Sequence, residues 1–143
     1  MIRLSKLSDY AIVVLSLLAA AHGKVHTASS LAERTGIPEP TVAKVLKLLS
    51  RQGVIVSIRG VNGGYKMERS PAEVTVTELI VALEGPISVT DCATSEIHEC
   101  GIQELCPLKG RWQKVNQVIK SALDTLSLAD MLVFVPSRQK GRI

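Results

Sequence analysis

A chain of 143 residues supports one domain, or one small domain with an added arm. Apolar residues make up 46% but aromatics only 3%, which points to a helical protein packed with Leu, Val and Ala and away from a β-sandwich. The net charge of +4 is segregated: residues 1–66 carry nine Lys and Arg against three Asp and Glu, residues 67–108 one against eight, and residues 109–143 seven against two. A basic first module points to an anionic partner, with nucleic acid the default, although a mosaic of solvated faces gives the same totals.

The first apolar run, Ala11 to Ala21, follows Arg3 and Lys6 as a signal-peptide core would, but it is too short to span a bilayer. Asp9 and Tyr10 stand directly ahead of it, and the segments that follow need a helix to pack on. It is therefore expected to be a buried first helix, Ser8 to His22, ending at Gly23. The protein is then expected to be cytoplasmic, with no membrane partner and with its cysteines reduced. A second, shorter helix is expected next, with Ser30-x-x-Glu33 as a capping box and Gly36 as its stop. After Ile37-Pro38-Glu39-Pro40, Val42, Val45, Leu46 and Leu49 recur at helical spacing up to Gly53, and the opposite face offers Thr41, Lys44, Lys47 and Arg51. Two short helices joined through a Gly-Ile turn, the second basic on its outer face, make a helix-turn-helix.

Val54, Val56 and Ile58 then alternate as in a strand, Asn62-Gly63-Gly64 supports a tight reversal, and Tyr65-Lys66-Met67 returns. This hairpin is expected to be a wing, with Arg59 suited to the negative potential of a minor groove. Thr75-x-x-Glu78 is a second capping-box match, opening a helix from Val76 to Leu83 that stops at Gly85-Pro86. From about Leu108 a longer helix carries Trp112, Val115, Val118, Ile119, Ala122, Leu123 and Leu126 as one apolar stripe. That stripe is the expected dimer surface; packing back on its own domain is the alternative. The expected fold is mainly α with a small β-hairpin wing. It comprises a winged helix-turn-helix DNA-binding domain (1–85), a cysteine-containing loop (86–107), a dimerisation helix with the following segment (108–135) and a disordered tail (136–143).

Cys92, Cys100 and Cys106, spaced C-x7-C-x5-C, are the only cysteines, and they lie among Glu96, His98, Glu99 and Glu104 instead of on a core face. Three thiolates at one point suit a soft metal centre. The spacing permits zinc without indicating it, because the short paired spacing of zinc sites is missing. An iron–sulfur cluster tolerates irregular spacing and needs a fourth ligand, and a metal-free thiol switch is the third option. A cysteine enzyme using His98 lacks any oxyanion-hole signature, so no catalytic residues, no small-molecule substrate and no enzymatic activity are expected. An electron carrier would leave the basic helix-turn-helix without a purpose.

Together these motifs resemble the Rrf-two family of bacterial transcriptional regulators. The matching residues are Arg3-Leu4-Ser5-Lys6 with Asp9-Tyr10-Ala11, then Leu31-Ala32-Glu33-Arg34 and Gly36-Ile37. The wing Arg59-Gly60-x-x-Gly63-Gly64-Tyr65, the three cysteines and Leu126-Ser127-Leu128-Ala129-Asp130 complete the match, which covers the chain short of its tail. The resemblance implies a homodimer on a double-stranded DNA operator, with a 2Fe-2S or 4Fe-4S cluster held near the dimer interface by Cys92, Cys100 and Cys106. It also implies that the third helix enters the major groove while Arg59 enters the minor groove. Phosphate contacts are expected from Ser5, Lys6, Lys44, Lys47 and Arg51, with Pro40 and Thr41 nearest the bases. One branch of the family takes its fourth ligand from a histidine three residues past the last cysteine, where this chain has Lys109, which cannot ligate while protonated. Another branch uses an aspartate from the first helix of the partner subunit, and Asp9 matches that place; His98 is a within-loop alternative. Leu83-Glu84-Gly85-Pro86 and Cys106-Pro107-Leu108 are similar to the subgroup that regulates the sulfur-mobilisation (SUF) cluster-assembly genes, which implies a repressor sensing cluster status. A nitric-oxide- or redox-responsive regulator, or a zinc or thiol switch without a cluster, is the alternative within the class.

Overall fold

The structure, a computed structural model, describes residues 3–90, 105–108 and 110–136. Cys92, His98, Cys100, Lys109 and the tail 137–143 therefore lie outside the described residues.

Helix α1 spans Lys6–Ala20, two residues ahead of the expected boundaries. Its apolar run explains its place: Ala11, Val14, Leu15, Leu17 and Leu18 are buried at the centre of the core. Helix α2, Ala28–Thr35, is capped by Thr27, whose hydroxyl oxygen accepts from the Ser30 backbone N–H at 3.1 Å. The expected Ser30-Glu33 capping box is thus corrected: Thr27, three residues earlier, holds the extended backbone that a cap requires, while Ser30 is already inside the helix. Gly36 ends α2 in the left-handed region, as expected. Helix α3, Glu39–Arg51, lays Val42, Val45, Leu46 and Leu49 against α1 and α2.

Strand β1 (Val56–Ile58) pairs antiparallel with β2 (Gly64–Lys66), in the register Val56↔Lys66, Ser57↔Tyr65 and Ile58↔Gly64. The expected alternation is corrected at its start: Val54 and Ile55 are both buried, as consecutive residues leaving α3, and Val56 faces out. A backbone bridge between Tyr65 and His26 adds the α1–α2 connection as a third edge. Each N–H donates to the other's carbonyl at 2.8 Å.

Beyond a 3-10 turn at Pro71–Glu73, helix α4 (Val76–Glu84) starts from the expected capping box. The Glu78 N–H donates to Thr75 Oγ1 at 3.1 Å, and Glu78 Oε2 accepts from the Thr75 N–H at 3.0 Å. Helix α5 spans Arg111–Asp124 and contains no fully buried residue. Ile119 and Leu123 are half-buried beside α4, whereas Trp112, Val115 and the 69%-exposed Val118 stay open. The chain then returns through a short helix not anticipated from the sequence, α6 (Leu128–Met131). Leu128 is fully buried, its N–H donating to Val74 at 2.7 Å, while the Val76 N–H donates to Leu126 at 2.9 Å. The Val133 N–H reaches the buried Ser16 hydroxyl at 3.1 Å. The segment after α5 is therefore stitched into the core of the N-terminal unit.

The fold is mainly α with a two-stranded antiparallel hairpin, and the order α2, α3, β1, β2 makes a winged helix-turn-helix. Among the described residues, no helix is long and apolar enough to cross a membrane.

Candidate nucleic-acid interface and cysteine segment

Helix α3 buries one face and turns the other outward, with Pro40, Lys44, Lys47 and Arg51 exposed and Thr41 half-buried. Positions 40, 44, 47 and 51 fall at helical spacing, so they form one ridge. That ridge is the outward face of the second helix of the helix-turn-helix. Pro38 supplies no side-chain cap and Pro40 occupies the first turn, where its missing N–H costs nothing.

The wing supplies a second cation. Arg59 follows β1 at the start of the turn and is exposed, with Val61 fully exposed at the tip. Glycines set the shape of this turn. A Cβ on Gly63 would fall on the Ile58 carbonyl oxygen, and one on Gly64 would sit 2.5 Å from the His26 carbonyl oxygen. Gly63 is thus required by the close turn itself, Gly64 by the hairpin's contact with the α1–α2 connection, and Gly60 by its positive φ of +110. Among the described residues the ion pairs are Lys66–Glu68 at 2.6 Å and Arg69–Glu78 at 3.2 Å. Lys44, Lys47, Arg51 and Arg59 have no acidic partner there. Cations left unneutralised on one ridge and one wing give a strong attraction for a phosphate backbone.

Ser5 and Lys6 lie at the start of α1, both exposed. Ser5 does not cap its own helix; its N–H donates to Glu84 Oε1 at 2.9 Å and its hydroxyl donates to the same oxygen. Ser8 adds a third donor at 3.1 Å. The Ser5 side-chain and backbone bonds hold the Glu84 carboxyl below its usual range, with Ser8 adding to them against the opposing effect of burial. Among the described residues, Ser5 is the one of the eight expected DNA contacts whose side-chain donor is already engaged within the protein.

At the wing root, His26 is half-buried and its Nε2 is buried without a hydrogen-bond partner among the described residues. Burial first, then the positive charges of Arg34 and Lys24, keep its pKa below the usual 6.5, so the ring is neutral there at neutral pH. This feature was not found from the sequence, because only the Tyr65 bridge makes His26 part of the wing.

Of the expected cluster ligands, the structure describes Cys106 and Asp9. Cys106 is a half-buried free thiol in the turn ahead of α5. Asp9 is exposed in the first turn of α1, with no hydrogen bond or ion pair among the described residues. No group of three or more potential metal ligands occurs among the described residues, and the other two cysteines are outside them. Asn116 of α5 donates to the Ile87 carbonyl at 2.8 Å, which ties the segment just past α4 to that helix.

A basic recognition helix followed by a glycine-shaped basic wing defines a winged-helix DNA-binding transcriptional regulator. Residues 4–133 match the model of the Rrf2 family, described as an iron-dependent transcriptional regulator, and the chain belongs to that family. The chain is 28% identical over 131 residues to the HTH-type transcriptional regulator NsrR of Geobacillus kaustophilus, covering 91% of this chain and 89% of that one. It is similar in structure to CymR, the global cysteine regulator of Bacillus subtilis, with a TM-score of 0.64 and 29% identity over 92% of this chain and 96% of the other. It is also similar to IscR of T. potens, with a TM-score of 0.59 and 29% identity over 91% and 85%. These relatives are regulators, not enzymes.

Proposed function

We propose that the chain is a cytoplasmic, homodimeric repressor that reads a DNA operator and senses iron–sulfur cluster status through Cys92, Cys100 and Cys106, with the SUF assembly genes as its target. The observation that carries the DNA-binding half is the single ridge of unpaired cations on α3 followed by Arg59 on the wing. Lys6, Lys44, Lys47 and Arg51 would neutralise phosphates, Pro40 and Thr41 would lie nearest the bases, and Arg59 would enter the minor groove. Ser5 would meet a phosphate only by re-aiming a donor that Glu84 now holds.

The dimer reading rests on the open margin of α5, where Trp112, Val115 and Val118 are exposed, with Met131, Leu132 and Phe134 also exposed in the segment that follows. The donor set suits a cluster: thiolates are its usual ligands, Cys106 is free and half-buried, and the Asp9 carboxylate is not consumed by the fold. Cys92, Cys100 and Cys106 would hold it, with Asp9 of the partner subunit as the fourth ligand. A bound cluster supplies an oxidant-labile centre that draws its ligands together. The protein's part is to convert that restraint into the spacing of the two α3 helices. A coupling of about 1.4 kcal/mol suffices for each tenfold change in operator affinity.

A thiol switch without a cluster is the second reading, favoured by the likeness to a cysteine regulator over nearly the whole chain. Both are tested by anaerobic purification with visible spectroscopy and iron, sulfide and zinc assays on one sample. Charge-transfer bands that bleach in air, with matching iron and sulfide that disappear in Cys100→Ala, support the cluster. Colourless protein after anaerobic reconstitution overturns it and leaves the thiol switch. Unchanged operator affinity in Arg59→Ala would overturn the wing assignment.

A further inference from the structure

Glu84 is the last residue of α4, where the negative end of the helix dipole disfavours a carboxylate. Three donors from the start of α1 nevertheless converge on its Oε1: the Ser5 backbone N–H, the Ser5 hydroxyl and the Ser8 hydroxyl. The positive end of the α1 dipole adds to their attraction, so the ionised carboxylate belongs there. Gly85, at φ +88, then breaks the helix and Pro86 leads the chain toward the cysteines. The segment 86–89 lines a groove of about 420 Å³ together with Leu4, Ile80, Glu84, Ile119 and Leu123. The same stretch of α1 carries Lys6 and Asp9, so a proposed phosphate contact and a proposed ligand both lie beside the residues Glu84 holds.

We infer that Glu84 is a positioning residue: its carboxylate ties the entry of the cysteine segment to the first turn of α1, so that what the cysteines bind is transmitted to the DNA-contacting end of that helix. This rests on the reading above that the cysteine segment is the sensor. A purely structural clamp would stabilise every state equally; a coupling clamp acts on the difference between states.

The test uses the full chain as wild type, Glu84→Ala, Glu84→Gln and the double variant Ser5→Ala/Ser8→Ala. The double variant keeps the question answerable if loss of Glu84 prevents folding. Hydrogen exchange of amides 5–9 is measured on untreated protein, on protein reconstituted anaerobically with iron and sulfide, and on protein alkylated at its thiols with a maleimide. Operator affinity is measured in the same states. In the wild type, reconstitution and alkylation each change exchange of the first turn of α1 by about fivefold or more, the lower end of ordinary coupling. In Glu84→Ala and the double variant the change shrinks to within about twofold, as does the affinity ratio between loaded and unloaded protein, although iron and sulfide uptake persists. Glu84→Gln, which keeps an acceptor oxygen, retains part of the response.

Wild-type-sized responses in the variants overturn the inference, as does a wild type that responds to neither treatment. A wild type that takes up no iron and sulfide, yet responds to alkylation only when Glu84 is present, supports the clamp and overturns the cluster reading. Loaded protein whose affinity ratio survives loss of Glu84 does the reverse.

Discussion

Substituting Gly64 with Ala tests whether the wing depends on its bridge to the α1–α2 connection. The new Cβ would lie 2.5 Å from the His26 carbonyl oxygen, 2.9 Å from its carbonyl carbon and 3.0 Å from Val25 Cγ1. The first two are backbone atoms, so no rotamer change relieves the collision, and β2 must withdraw. Withdrawal breaks the reciprocal 2.8 Å bonds between His26 and Tyr65. Two hydrogen bonds at about 0.5–1.5 kcal/mol each, with residual backbone strain of about 1 kcal/mol, give a loss of about 3 kcal/mol. For a chain of this size that is about 9 °C in Tm, measured by calorimetry at fixed protein concentration. Because β2 pairs with β1, whose end presents Arg59, operator affinity measured well below Tm falls about tenfold further than the unfolded fraction explains. Gly60→Ala is the control: it meets open space at φ +110, costs about 1–2 kcal/mol of backbone strain and leaves the bridge intact. A Gly64→Ala protein with wild-type melting and wild-type operator affinity would refute the reasoning.

Leu128→Ala removes a fully buried side chain and is expected to cost about 3 kcal/mol in chemical denaturation, whereas Leu126→Ala, at a partly exposed position, costs under about 1 kcal/mol; equal effects would show that α6 is not part of the core. Lys47→Ala is expected to reduce the salt slope of operator binding by about one without altering sequence preference, and Arg59→Ala to weaken binding about tenfold with unchanged melting; competition titrations at several salt concentrations check both. His26 has a depressed pKa in the folded state, so below its unfolded value of 6.5 the unfolded chain binds the proton more readily. Its contribution to stability is therefore full above about pH 6.5 and is lost as pH falls from there to the folded pKa. His26→Phe should flatten that limb of the stability–pH curve, and an unchanged limb would locate the effect elsewhere.

Periodicity made α1, α3 and α4 legible because their apolar residues serve one continuous core, and Thr75 and Glu78 declared a helix start by chemistry alone. Capping was less legible at α2. Ser30 and Glu33 match the pattern as well as Thr27 does, and only the entry of the chain from His26 decides between them. Strand β1 was misplaced by the demand of a corner: Val54 and Ile55 are both buried where the chain leaves α3, and simple alternation cannot express that. The segment Leu126 to Asp130 matches the family, but its physical role cannot be read from its own residues. Leu128 fills the core beside residues more than fifty positions earlier, and the buried Ser16 hydroxyl accepts from the Val133 N–H, a pairing that no local pattern displays. Glu84 was hidden for the same reason, since its partners lie nearly eighty positions away. Cation placement on α3 needed only helical spacing and was legible throughout.

The ties that hold α5 are uneven, and the unevenness points to where motion costs least. Helices α1, α2 and α3 share a closed core of Leu and Val, and shifting α3 within it would open voids of the kind that cost several kcal/mol. Helix α5 has no buried residue, and the polar links along its length to the rest of the described chain are Thr77 to Lys120, at 3.4 Å, and Asn116 to Ile87. Its continuation is fixed firmly, by Leu128 and by the Ser16–Val133 bond. Within one protomer, helix α5 is therefore an arm anchored at its far end and loosely held along its length, and motions of low cost run along its weakly packed boundary with its own winged-helix unit. In the proposed dimer each winged-helix unit would then move as a rigid body, and a change at the cysteines would alter the distance between two α3 helices without altering either one. Operator half-sites sit at fixed helical spacing, so a shift of a few ångströms between intact readers is enough to change which state binds.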